Sequence, residues 1–152
     1  MKNSYFIIIS LCICAIANAQ TINFPDANFK AKLLSTNIGI NDAIDLYGNS
    51  IKIDSNNNGE IEVSEAMMVL EINVINTNIG SLIGISSFSN VHRLWCDNNY
   101  LQELSLVGLS QISDLGFSNN QLTNIDLSEL NLLRSLYCNN NQLSTPTLLS
   151  NP

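Results

Sequence analysis

Three stretches of this 152-residue chain repeat one another at a fixed interval, and that periodicity constrains the fold more than any other feature. Val91–Leu101, Ile112–Leu122 and Leu133–Leu143 share the form L-x-x-L-x-L-x-x-N-x-L, and they open 21 residues apart. Cys96, Phe117 and Cys138 occupy the third apolar slot, and Asn99, Asn120 and Asn141 the asparagine slot. A degenerate copy begins 22 residues upstream at Val69, with Ile72, Val74 and Ile79 in apolar slots and Thr77 in place of Asn. The intervening segments repeat too: Leu104, Leu106 and Leu109 correspond to Ile125, Leu127 and Leu130. A period of this length is the mark of a solenoid, in which no single unit can bury its own apolar face.

The pattern is that of a leucine-rich repeat. Apolar residues two apart, such as Leu94 and Cys96, turn one face of a short strand inward. The chain must then turn inside the coil, and an Asn there can donate and accept at once, so stacked Asn side chains satisfy the exposed backbone as a ladder. Thr77 does this only in part, which suits a first rung. The predicted fold is therefore an α/β solenoid with short parallel strands, an irregular or 3-10 convex side, and a helical N-terminal cap. Cys96 and Cys138 share a slot two rungs apart, so they stand about 9.6 Å from each other at a strand spacing of about 4.8 Å. That exceeds the reach of a disulfide, and both are expected to be free thiols acting as small hydrophobes.

Residues 1–19 read as a secretory signal peptide. Lys2 precedes the uncharged run Tyr5–Ala17, and Ala17-Asn18-Ala19 has the small-x-small form of a cleavage site. The run is shorter than the roughly 20 residues that span a bilayer as a helix, so no membrane span is expected after cleavage. Cys12 and Cys14 fall within it, and Ile13 before Cys14 argues against a lipoprotein cleavage there. Removal of Lys2 takes the net charge from −7 to −8. An acidic chain with six Lys and Arg lacks the basic face that nucleic acid or an anionic membrane requires. One His in the whole sequence excludes centres built on several imidazoles.

Residues 20–68 lie between the signal and the repeats, which occupy 69–152 as about four units with the last incomplete. Phe24, Phe29, Leu33 and Leu34 fall on one face of a helix predicted within Pro25–Thr36, suited to cover the uncovered side of a first rung. Tyr47-Gly48-Asn49 is a turn between apolar stretches. Asp54 to Glu65 then fits D-x-[DN]-x-[DN]-G-x₅-E at every required position. In such a loop the ligands of a calcium ion are Asp54, Asn56, Asn58, the Glu60 carbonyl, Glu62 and a bidentate Glu65, and Gly59 permits the sharp turn. The preceding segment does not read as a long entering helix, so this is not a paired EF-hand. The alternative is a solvated Asn-Gly turn leading into a helix capped by Ser64, with no ion.

The signal peptide, the stretch Phe24-Pro25-Asp26-Ala27-Asn28-Phe29, the Asn-rich loop before Ser64-Glu65-Ala66 and the Cys96-Asp97-Asn98-Asn99 style of repeat together resemble secreted, internalin-like bacterial leucine-rich repeat proteins. The resemblance spans nearly the whole chain. It implies extracellular or cell-surface display and binding of protein or glycan partners. Members often continue through many more repeats into a sorting or attachment domain. The sequence departs from that pattern at Pro152, inside the half-repeat after Leu143, and reads either as truncated or as lacking its attachment region.

Residues flanking the inward strand positions face the concave side of a repeat coil. Here they are Glu71, Asn73 and Ile75, then Arg93, Trp95 and Asp97, then Asp114, Gly116 and Ser118, and finally Ser135, Tyr137 and Asn139. Trp95 and Tyr137, separated by Gly116, form a candidate aromatic patch. Arg93, Asp97, Asp114 and Asn139 edge it, and Trp, Tyr and Arg are the residue types that dominate binding hot spots. The expected function is adhesion or recognition of a protein or glycan, without catalysis. Two other readings remain open: a repeat fragment with a structural role only, and a glycosidase using Asp97 and Asp114 as a carboxylate pair.

Overall fold

The computed structural model describes residues 20–144. The signal segment, and the end of the chain with Leu148 and Leu149, lie outside them. The repeat dictates the sheet. Four strands, β2 (Val69–Asn73), β3 (Arg93–Trp95), β4 (Asp114–Gly116) and β5 (Ser135–Tyr137), follow one another in parallel. Their register advances one repeat at a time: Ile72 pairs with Leu94, Leu94 with Leu115, and Leu115 with Leu136. Leu94, Cys96, Leu115 and Phe117 are wholly buried, so the inward slots form one continuous core. In the last described rung Leu136 and Cys138 are only partly buried. Cys96 and Cys138 are free thiols, as the two-rung spacing predicts. Burial, reinforced by the Asp97 charge, pushes the Cys96 thiol far above its ordinary pKa, which leaves it inert as a thiolate.

The asparagine slots build the ladder that the pattern predicts. Asn99 donates from Nδ2 to Val74 O (2.8 Å) in the rung above and to Cys96 O (3.1 Å) in its own. Asn120 does the same to Cys96 O (3.0 Å) and Phe117 O (3.0 Å), and Asn141 to Phe117 O (3.0 Å) and Cys138 O (3.1 Å). Each Oδ1 accepts a backbone N–H of the preceding rung: Ile79 for Asn99, Leu101 for Asn120, Leu122 for Asn141. Thr77 Oγ1 donates to Val74 O in its own rung (2.7 Å) and lies 3.3 Å from Asn99 Oδ1 in the next, and it makes no bond to a backbone group of another rung. The Asn just before each ladder residue has its own role. Asn98, Asn119 and Asn140 all sit at φ 55°, the left-handed region that Asn tolerates better than other side-chain-bearing residues.

The convex side is irregular. A 3-10 turn at Ile85–Ser87 closes with Phe88 N–H on Ile85 O (3.0 Å). The equivalent single turns, Leu109 to Leu106 and Leu130 to Leu127, recur at 3.0 Å without extending into helix. Tight turns let each rung cross the back of the coil in few residues.

Ahead of the repeats, α1 (Ala27–Leu34) buries Phe29 and Leu33 completely. Phe24 meets Phe29 edge-on at 5.3 Å and approaches Phe88 at 6.4 Å, which ties the N-terminal region to the first rung. Gly84 adopts φ 103° beneath that ring, and a Cβ there would come within 2.7 Å of Phe24. The Tyr47-Gly48-Asn49 turn returns the chain beside β1 (Ala43–Asp45), which joins the sheet antiparallel to β2. The sheet order is thus β1-β2-β3-β4-β5, with an edge strand from outside the repeat pattern. A second helix, α2 (Val63–Ala66), follows the Asn-rich loop.

Candidate functional site

Two places were singled out by the sequence: the concave face and the loop Asp54–Glu65. On the concave face the strands set three outward columns. Glu71, Arg93, Asp114 and Ser135 stand in one, and Asn73, Trp95, Gly116 and Tyr137 in the next. Asp97 lies one step further out, beside Ser118, whose N–H its Oδ1 accepts at 2.7 Å. Asn139, in the corresponding place after β5, is exposed.

Trp95 is held on three sides. Its Nε1–H donates to Glu71 Oε1 at 2.9 Å. Its six-membered ring lies over Gly116, where a Cβ would meet the ring at 2.8 Å and Asp97 Oδ2 at 2.5 Å. Tyr137 leans against it from the far rung, with centroids 5.9 Å apart and planes at 55°. Glycine in the intervening rung is therefore what allows the two aromatics to meet. Glu71 also holds Arg93, whose Nε lies 2.6 Å from Oε2 in a close ion contact without hydrogen-bond geometry. The repeat register places Glu71 on this face without assigning it a role. Its 24-residue separation from Trp95, one rung plus two positions, is the signal that marks it as the anchor of that ring.

The carboxylates do not form a facing pair. Asp114 stands in register with Arg93 and Asp97 bonds Ser118, at opposite ends of adjoining rungs. Hydrogen bonds from the Ser113 and Ser135 hydroxyls, with Arg93 and Arg134 nearby, hold the Asp114 carboxyl below its ordinary pKa. A general acid needs the opposite shift.

In the loop, Asp54, Glu62 and Glu65 are buried carboxylates. Asp54 accepts Asn58 N–H on Oδ1 (3.1 Å) and Gly59 N–H on Oδ2 (3.2 Å). The Asn56 and Asn58 amides donate to the two oxygens of Glu62 at 3.1 and 2.7 Å. Glu60 reaches outward to Lys30 at 2.8 Å, which leaves its backbone carbonyl as its only contribution to the loop's interior. Glu65 accepts hydrogen bonds from residues near both ends of the loop. Its Oε1 takes Ser55 N–H and O–H, both at 2.8 Å, and its Oε2 takes Glu62 N–H at 3.1 Å. Burial works to raise the Glu65 carboxyl, but its contacts with Glu62 and Ser55 outweigh that and hold it below the ordinary glutamate range. The reciprocal bonds of Glu62 and Glu65 form a capping box, so Glu62, not Ser64, caps α2. Among the described residues no group of three or more His, Cys, Asp and Glu side chains is arranged as a metal cage, and a cation here would rely on amide and carbonyl oxygens as well.

No protein-family model and no curated protein matches the sequence. Solved structures do. The chain is similar to the functional domain of InlJ from Listeria monocytogenes, described as including a cysteine ladder, at 22% identity and a TM-score of 0.63 over 86% of this chain and 25% of that one. It is also similar to an internalin, InlF, from Listeria monocytogenes, at 20% identity and a TM-score of 0.65, over 90% of this chain and 41% of that one. The chain thus spans well under half the length of either neighbour. What is shared at these identities is the fold. This chain has the fold of an internalin-like leucine-rich repeat protein.

Proposed function

We propose that this chain is a secreted or cell-surface recognition module that seats its partner on the concave face, over Trp95 and Tyr137, and carries out no catalysis. One observation carries the reading: Trp95 is fixed by Glu71 and Gly116 before any partner arrives. A large aromatic surface whose rotamer is already settled loses little freedom on binding, which is how a few side chains dominate an interface. Export is supported by Lys2, the apolar run and Ala17-Asn18-Ala19. Among the described residues no helix is long and apolar enough to cross a membrane.

The test is a double substitution, Trp95→Ala with Tyr137→Ala, read by binding to whole cells. Attachment is expected to fall at least tenfold, about 1.4 kcal/mol or more. Tyr137 is 53% exposed, so its removal should barely move the melting temperature. Unaltered attachment by a folded double variant would sink the proposal.

We also propose that the loop Asp54–Glu65 takes calcium, held by Asp54, Asn56, Asn58, Glu62 and the Glu60 carbonyl. The support is an all-oxygen donor set within one short loop around two buried carboxylates. Half a turn of the Asn56 and Asn58 amides would exchange nitrogen for oxygen toward Glu62, while Glu65 keeps its capping bonds. Bound calcium would then brace the start of α2. At a hundredfold excess over the dissociation constant it should stabilise the chain by about 2.7 kcal/mol, and Asp54→Ala should abolish that gain. A melting temperature indifferent to millimolar calcium would end this reading.

A further inference from the structure

We propose that the ligand of the concave face is a neutral oligosaccharide. The proposal rests on the concave-face reading above and names its ligand class. Trp95 and Tyr137 form a bent aromatic shelf, their ring planes at 55° and their centroids 5.9 Å apart. The Trp95 Nε1–H is already committed to Glu71, so the indole offers its face and not its donor. A pyranose ring presents a patch of C–H groups on one side and hydroxyls around its rim. Such a ring stacks its C–H side on a rigid aromatic face and needs oxygen and amide partners at the edge. Those partners are in place. Asp97 lies beside the shelf, with its Oδ1 already fixed by Ser118, and Asn139 is exposed at the Tyr137 end.

The surroundings of the shelf separate this occupant from a protein. The core of a protein interface is apolar and poor in charge around its aromatic anchors. Here the positions around the shelf are Asn73, Ser118, Ser135 and Asn139, with Asp97 charged at its edge and Ile75 the one apolar residue of the neighbouring column. Charge narrows the class. Glu71, Asp97 and Asp114 outnumber Arg93 and Arg134, and both arginines already face carboxylates. On a chain of net charge −7 such a face disfavours sialylated, uronic or sulfated sugars.

Trp95 is the only tryptophan in the chain, so its intrinsic fluorescence reports on the shelf directly. The protein would be screened on an array of neutral, sialylated and sulfated glycans. The best neutral glycan, together with cellotetraose and chitotetraose, would then be titrated while Trp95 emission is followed. A saturable change is expected with a neutral glycan, and weaker or no binding for its sialylated or sulfated counterpart. Tyr137→Ala should weaken binding at least tenfold with an unchanged melting temperature, and Glu71→Ala severalfold, because it removes the acceptor that holds the indole. Absence of any array signal, or binding that survives Trp95→Ala and Tyr137→Ala, overturns the proposal. If the double variant loses attachment to cells stripped of their glycans, the partner is a protein, and this proposal falls while the concave-face reading stands. If attachment to intact cells ignores the double variant, both fall.

Discussion

Asn120→Ala is expected to destabilise the chain by about 3–5 kcal/mol, more than any change on its surface. Asn120 is 7% exposed and serves four backbone groups in two neighbouring rungs, Ser118 O (3.3 Å) among them. It donates to Cys96 O and Phe117 O and accepts from Leu101 N–H, each at 3.0 Å. Alanine leaves those groups without partners beside the fully buried Leu101 and Leu122, where water has little room to replace the amide. Each buried group left unpaired costs about 1–3 kcal/mol, so the loss is several times that of an ordinary hydrogen bond. Asn120→Asp keeps the shape and the acceptor but sets a carboxylate against the Cys96 and Phe117 carbonyls, and it should cost at least as much. Asn141 makes the corresponding bonds at a less buried site, so Asn141→Ala should cost clearly less. Urea unfolding of the three variants measures the gradient. If Asn120→Ala lies within about 1 kcal/mol of the parent, the ladder is not what holds the turns.

That ladder was legible because each Asn slot recurs beside the same apolar spacing, and the same is true of the strand register and the free cysteines. Features that join distant parts of the chain were not. β1 is three residues long, and it becomes a strand only because β2 offers it a free edge. Ser64 is a better capping residue than Glu62 by type, yet the Glu62–Glu65 box places the helix start two residues earlier. Glu65 reads as a calcium ligand by spacing, but four hydrogen-bond donors at 2.8–3.3 Å turn its carboxylate toward the loop's first residues and the start of α2. The Asn98, Asn119 and Asn140 column could have been found. Each immediately precedes a ladder Asn, and a turn repeated at every rung requires the same backbone shape each time. On the concave face the columns follow from the repeat, whereas the Glu71–Trp95 bond depends on side-chain direction, which the repeat does not specify.

Asp26 caps α1 and has a second task with a large consequence. Its Oδ1 accepts Asn28 and Phe29 N–H at 2.9 Å, which caps α1. Its Oδ2 accepts Gly80 N–H (2.8 Å) and Ser81 N–H (3.0 Å), 54 and 55 residues away in the first rung. One carboxylate therefore joins the N-terminal helix to the solenoid through four charge-assisted bonds. Asp26→Ala should cost about 2–4 kcal/mol, of which the cap alone is about 1. Asp26→Asn separates the two tasks. Asn caps a helix as well as Asp does, but its NH₂ would confront the Gly80 and Ser81 donors, so the variant should lose most of the clamp and little of the cap. The pH dependence carries the same signature. Burial works to raise the Asp26 pKa, but the bonds from Phe29, Gly80, Ser81 and Asn28 outweigh it and hold the group below its ordinary value. A depressed carboxyl contributes its full stability above the unfolded-state pKa of about 3.9 and loses it as pH falls through the lower folded value. Melting temperature should thus drop on acidification below about pH 4, and drop less steeply in Asp26→Asn. The lowered Asp45, Asp114, Asp126 and Glu65 carboxyls remain in that variant, so some acid sensitivity persists. Identical acid profiles for the two proteins would mean that Asp26 does not bridge helix and solenoid in solution.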